Sequence, residues 1–370
     1  MRRIQFLRGK WTVGLAAVLL LAGLAGGWLF HESALAWYYV QRLSAASPAE
    51  RTGWAERLAA LEEAADPRLR RCLDRQDRQV CENAQVGLAA LAERWAVDDP
   101  RRANLTCGLV ADFPQFSLAG QCSALELLAR WLGMESPAPP ADLVQKACGL
   151  VPLAGRSPDW EVRGRAVALA GAILNHQRGN ETVTACRELI RRGLQDTEAD
   201  NRAVAARLAA RKELNLLPQV APLLDDPEPV VRQAAMLAVG PHEAAVATDD
   251  LLRSLHDTDE DVRRLCEAAL KSRGLRSEDL LLGRLISDNR PAMRLQVLDN
   301  LRRTADLEPG VWLRRLSHDP SPAVRAAAVR AAGEEQQVDF SDRLAQMAQN
   351  DPSPTVRQLA QFYLLRRKQQ

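Results

Sequence analysis

Residues 319–333 read DPSPAVRAAAVRAAG, and this stretch decides the fold. From Val324, apolar residues recur at Ala327, Ala328, Ala331 and Ala332, offsets of three, four, seven and eight that mark one face of a 3.6-residue helix. Ser321 stands where a helix takes its N-cap and Pro322 at the first helical position, where a missing amide hydrogen costs nothing. Moving outward, the unit returns as DDPEPVVRQAAMLAVG from Asp225, DTDEDVRRLCEAAL from Asp257, DNRPAMRLQVLDNL from Asp288 and DPSPTVRQLAQFYL from Asp351. The marker arginines Arg232, Arg263, Arg294, Arg325 and Arg357 are separated by 31, 31, 31 and 32 residues, and Arg202 and Arg163 extend the series upstream by 30 and 39. Of the 35 stripe positions in these seven units, 31 are apolar, so the stripe is a buried face. The exceptions Arg165, Asn201, Gln296 and Asn300 predict looser helices around residues 162, 201 and 293.

A shorter helix precedes each corner, seen in Leu251, Leu252 and Leu255, in Leu281, Leu282 and Leu285, and in Leu313 with Leu316. One such pair exposes too much apolar surface to be stable alone, so neighbouring pairs must stack. The expected fold is all-α, an α-solenoid of about ten helix pairs.

The pattern resembles HEAT repeats, particularly the short bacterial variety also found in phycobilin-lyase type subunits. In that family a turn acid and a base six positions later form a hydrogen-bonded ladder between adjacent units. The matching residues are Asp196 with Arg202, Asp226 with Arg232, Asp257 with Arg263, Asp288 with Arg294, Asp319 with Arg325, and Asp351 with Arg357. Only the earliest unit departs, with Ser157 ahead of Arg163. A carboxylate that recurs once per unit reads as a corner brace, bonding backbone amides and guanidinium groups, rather than as a general base or metal ligand.

Residues Trp11 to Phe30, WTVGLAAVLLLAGLAGGWLF, are 20 consecutive uncharged positions, and a helix of that length rises ~30 Å, the thickness of a hydrocarbon core. One N-terminal transmembrane helix is therefore expected. Arg2, Arg3, Arg8 and Lys10 precede it and the next cation is Arg42, so the positive-inside rule keeps residues 1–10 in the cytoplasm and exports the rest. Trp37, Tyr38 and Tyr39 suit an interfacial belt. The expected location is the inner (cytoplasmic) membrane, single-pass. The alternative is a cleaved secretion signal, with Ala34-Leu35-Ala36 as the site, but signal cores usually run only ~7–15 residues.

Residues 34–135 read as a diverged helical-pair region, 136–141 (SPAPPA) as a linker and 142–367 as the repeat solenoid. Trp37, Trp54, Trp95 and Trp131 read as gap-fillers where the Ala-rich packing is lost, with the lining of a peptide groove as the alternative. Among seven cysteines there is no C-x-x-C and no histidine at ligand spacing, which gives zinc no support. In an exported chain Cys72 and Cys81, flanking a short corner, are a candidate disulfide, as are Cys107 and Cys122. No P-loop, H-E-x-x-H or G-x-S-x-G motif is present, so no catalytic residue, metal, cofactor or small-molecule substrate is expected. Net charge is +2 and four of the cations lie in the first ten residues, which leaves the body too neutral for a nucleic-acid face. The expected function is a membrane-anchored scaffold that binds a protein or peptide client. The alternative carried by the resemblance is an enzyme or cofactor-attachment factor similar to the bilin lyases.

Overall fold

The computed structural model describes residues 31–369 apart from the short segments 97–98, 135–137, 177–178, 304–306 and 336–337. The expected transmembrane helix at 11–30 lies outside the described residues. Among those described, the chain is helical with no strand, and no helix is long and apolar enough to cross a membrane. It divides into two compact units, one reaching Leu208 and the other starting at Ala209. The linker drawn at 136–141 therefore falls inside the first unit, where helix Leu118–Leu132 packs along helix Trp160–Ile173.

The second unit contains five helix pairs. Each begins with a short helix, such as Ser277–Ile286, Pro309–Leu316 or Ser341–Asn350, and returns along a longer one, such as Pro291–Arg303, Pro322–Glu334 or Pro354–Gln369. The proline expected at the first helical position is found at Pro229, Pro291, Pro322 and Pro354. The cap itself works differently from the reading of Ser321. That hydroxyl caps nothing, and the Ser321 amide donates to Asp319 Oδ1 at 2.7 Å. The same corner bond recurs at Glu228 N to Asp226, Asp259 N to Asp257, Arg290 N to Asp288 and Ser353 N to Asp351, all 2.8–2.9 Å. The turn acid thus fixes the corner three residues before the helix starts, satisfying an amide that would otherwise be orphaned.

Burial refines the stripe. In helix Pro322–Glu334 the buried residues are Val324, Arg325, Ala328, Val329 and Ala332, with Ala327 and Ala331 only half-buried. The inward face is centred about one residue further round than the apolar pattern suggests, because the marker arginine is itself buried. Of the three helices expected to be loose, only Pro291–Arg303 is, with Arg294, Val297 and Leu298 its only buried residues. Around residue 162 the helix packs fully, and Arg165 turns outward to Glu126 at 2.8 Å. Asn201 is buried because its Nδ2 donates to the Trp160 carbonyl at 2.9 Å, which turns a polar exception into a tie between layers.

The first unit ties its less regular layers with neutral groups. Asn83, fully buried, donates to the carbonyls of Leu43 and Ala46, each at 2.9 Å. The Ser117 amide and hydroxyl both donate to the Leu73 carbonyl at 3.0 and 3.1 Å. Gly120 lies so near that carbonyl that a Cβ would stand 1.9 Å from its oxygen, so this close approach excludes any side chain. Trp95 and Trp131 are buried as gap-fillers, whereas Trp54 stacks with Tyr38 and Tyr39 under Arg42 and Arg57.

The arginine ladder and a candidate binding cleft

The marker arginines and turn acids do meet, in a pairing offset by one repeat from that suggested by the six-residue spacing. Each arginine sends Nη1 back to main-chain carbonyls of its own corner: Arg232 to Asp226 and Pro227, Arg294 to Asp288 and Asn289, Arg325 to Asp319 and Pro320, at 2.8–3.1 Å. Arg202, Arg263 and Arg357 make the same bonds to the carbonyls of Asp196, Asp257 and Asp351. The carboxylate comes from the next repeat. Arg232 grips Asp257 through Nε and Nη2 at 2.8 and 2.7 Å, Arg294 grips Asp319 at 2.6 and 2.9 Å, and Arg325 grips Asp351 at 2.8 and 2.8 Å. In the first unit Arg163 holds Asp196 in the same way, and the divergent Ser157 offers Arg163 only its carbonyl.

This planar, two-pronged geometry needs arginine rather than lysine. It also shifts the acids. Burial raises the Asp257 carboxyl, but the bonds from Arg232 and from the Asp259 amide outweigh it, and the net shift is downward. The Arg325 guanidinium holds Asp351 below its ordinary range against the effect of burial.

One rung differs. Arg263 keeps its corner carbonyls, but Asp288, the acid it would grip, is clasped by Arg290 through Nε at 3.0 Å and Nη2 at 2.9 Å. Arg290 occupies the place that Ser321 and Ser353 hold in later units. A guanidinium two residues from the turn acid folds back onto it and lowers the Asp288 carboxyl strongly. The signal was present in the sequence as DNRP in place of DPSP, but sequence reasoning did not use it.

Beside this rung a cleft of about 950 Å³ opens, with Leu252 and Ile286 in its wall and Arg253, His256 and Arg290 around it. A second cleft of about 1120 Å³ runs along helix Pro309–Leu316, between Leu307, Val311 and Val338, with Arg302, Arg314, Glu308 and Asp339 in its lining. The two share Asp249, Arg315 and His318. Arg315 Nε meets Asp249 Oδ1 at 2.6 Å although these residues lie two repeats apart. Two layers are separated by roughly 16–20 Å, so this part of the second unit curves toward the clefts. His256 Nε2 lies 2.9 Å from the Arg284 carbonyl, an oxygen that can only accept. His318 Nδ1 faces Arg343 Nη2 at 3.1 Å and must therefore accept. Burial, with Arg343 and Arg314 nearby, lowers the His318 pKa, so this ring is neutral near pH 7. Both rings thus serve as fixed hydrogen-bonding groups of the wall.

All seven cysteines are free thiols in this structure, those of the candidate pairs Cys72–Cys81 and Cys107–Cys122 included. Cys81 points its sulfur at the carbonyl ends of the preceding helix, Arg75 at 3.2 Å and Cys72 at 3.7 Å, and at the Ser117 hydroxyl. Cys72 lies against the Ser44 hydroxyl, and Cys107 against Lys146 Nζ. The structure instead brings together Cys148 and Cys186, whose thiols hydrogen-bond across two packed helices. Sequence separation gave no sign of this pair. Among the described residues no group of three or more His, Cys, Asp or Glu side chains could hold a metal ion.

Residues 278–364 match the family profile of HEAT repeats. No curated protein matches the chain. Among solved structures, a crystal structure of importin beta is similar over 90% of this chain, at 14% identity and a TM-score of 0.56, and the likeness spans 54% of that chain's length. At that identity the likeness speaks for the fold alone. The chain thus carries HEAT repeats over residues 278–364 within a helical fold similar to that of importin beta.

Proposed function

We propose that the chain is a protein-interaction scaffold whose client lies in the clefts of the second unit, between Asp249 and Asp339. The observation that carries this reading is the curved face built by three successive short helices, Thr248–Leu251 with its continuation to His256, Ser277–Ile286 and Pro309–Leu316. Its apolar residues Leu252, Ile286 and Val311 are flanked by arginines and acids of both signs. An apolar floor with a mixed-charge rim suits an extended or helical protein segment, with affinity coming from the floor and register from the rim.

The finer reading is a scaffold tethered to the membrane through residues 11–30, with its body outside the cytoplasm. Support comes from the uncharged 20-residue run, the four cations ahead of it, and Trp37 and Tyr38, which are 59% and 45% exposed on the helix at 31–44 while Ala36, Val40 and Leu43 are buried. Photo-crosslinkers at Val311 and Arg290, compared with one at Leu237 on an exposed helix face, test the client site on intact membranes. Capture of one protein from the first two positions and not from the third supports it, and equal capture from all three refutes it. A reporter fused after Gln370 tests the tether separately: activity on the cytoplasmic side overturns the topology while leaving the cleft reading intact.

A further inference from the structure

Helix Ala141–Cys148 packs against helix Asn180–Gly193 in the first unit. The Thr182 hydroxyl bonds Gln145 Oε1 at 3.3 Å and sets their register. One turn further along each helix come Cys148, three residues after Gln145, and Cys186, four residues after Thr182, and their thiols hydrogen-bond each other in a site where Cys148 is 8% and Cys186 0% exposed. Two thiols that hydrogen-bond each other across packed helices are neighbours before any bond forms, and a disulfide asks for such proximity.

We propose that Cys148 and Cys186 form a reversible disulfide that staples these two helices when the chain meets a small-molecule disulfide donor. Cys148 is the attacking group. The hydrogen bond from Cys186, helped by Thr182 and opposed by burial, lowers its pKa below the ordinary thiol value, which favours the thiolate needed for attack. The Cys148 thiolate attacks one sulfur of the donor, forms a mixed disulfide and expels the first donor thiolate. Cys186 then gives up its proton and attacks the Cys148 sulfur, which closes the intrachain bond and expels the second. Overall the donor disulfide is reduced to two thiols, the protein dithiol is oxidised, and the two cysteine protons end on the two released thiols. The remaining thiols are placed otherwise: burial drives Cys266 up to about 12 and, with Asp159 and Glu161 nearby, Cys122 up to about 11. This inference does not rest on the client or the membrane reading.

The test uses the reduced full chain, oxidised glutathione as donor, alkylation after unfolding, and digestion without reductant. The expected result is one dominant cross-linked peptide joining Cys148 to Cys186, abolished by dithiothreitol, and an upward shift of the melting midpoint on oxidation. In Cys186→Ser the glutathione adduct should persist on Cys148, and in Cys148→Ser the melting shift should vanish. Recovery of both residues as alkylated thiols, a persistent adduct on Cys148 of the wild-type chain, or a dominant cross-link through other cysteines would each overturn the proposal.

Discussion

Two corners of the second unit carry the same acid and the same arginine, yet only one closes a rung. At Asp351 the carboxylate meets Arg325 of the preceding repeat with side-chain exposures of 4% and 11%. At Asp288 it is held by its own neighbour Arg290, whose side chain is 70% exposed. The corners differ at the two residues after the acid, Asn289-Arg290 against Pro352-Ser353, and the second of these coincides with a sparsely buried helix, Pro291–Arg303, and with the wall of a cleft. A rung braces two layers, so a corner that turns its carboxylate inward to itself leaves the interface less constrained and its edge open to a partner. Regularity and binding surface are thus alternatives at this place in the repeat.

The comparison breaks most visibly under alanine substitution. Arg325→Ala strands the buried Asp351 carboxylate and should cost about 3–5 kcal/mol in urea denaturation, whereas Arg263→Ala, which loses only carbonyl bonds, should cost about 1–2 kcal/mol. Equal losses would show that the rung carboxylate contributes nothing. Arg290→Ser sharpens the contrast by placing at this position the serine found at Ser321 and Ser353 in the later corners. It should stabilise by about 1 kcal/mol and raise the cost of Arg263→Ala in the same background, and a double-mutant cycle with no coupling would refute the diverted-rung account.

The rungs also set a pH dependence. The Asp351 and Asp257 carboxyls lie below their ordinary 3.8 in the folded chain, so the unfolded chain takes up protons first as pH falls. Their contribution is complete above about pH 5 and is lost as pH drops through the folded values. Wild-type stability should therefore fall more steeply between about pH 5 and 3 than that of Arg325→Ala, and parallel curves would count against a charged rung. The smallest effect concerns His318, whose lowered pKa should appear as an NMR titration midpoint below 6.5. A midpoint above that value would show the ring to be solvated rather than packed beside Arg343 and Arg314.

Much of the scaffold was legible in the sequence because it repeats. Pro322 and Pro354 start helices where the spacing places them, and Ala328 and Ala332 are buried as the stripe requires. The six-residue link between Asp319 and Arg325 was visible too, but its chemistry was not: the contact runs through the Asp319 carbonyl, while the carboxylate serves Arg294. Sequence spacing gives distance along the chain and is silent about which end of a residue does the bonding. The loose helix was correctly expected at 293 and wrongly at 162 and 201, since Arg165 could turn to solvent and Asn201 could find a carbonyl.

Local periodicity by itself determined that this chain would form helix pairs and that the pairs must stack, because a helix face with apolar residues every third and fourth position has no stable alternative to burial. Only the tertiary structure decided which carboxylate each guanidinium holds, where Arg290 opens a rung, and that Cys148 meets Cys186. Those are contacts between residues brought together by packing across layers, and their distances depend on how helices lie against one another.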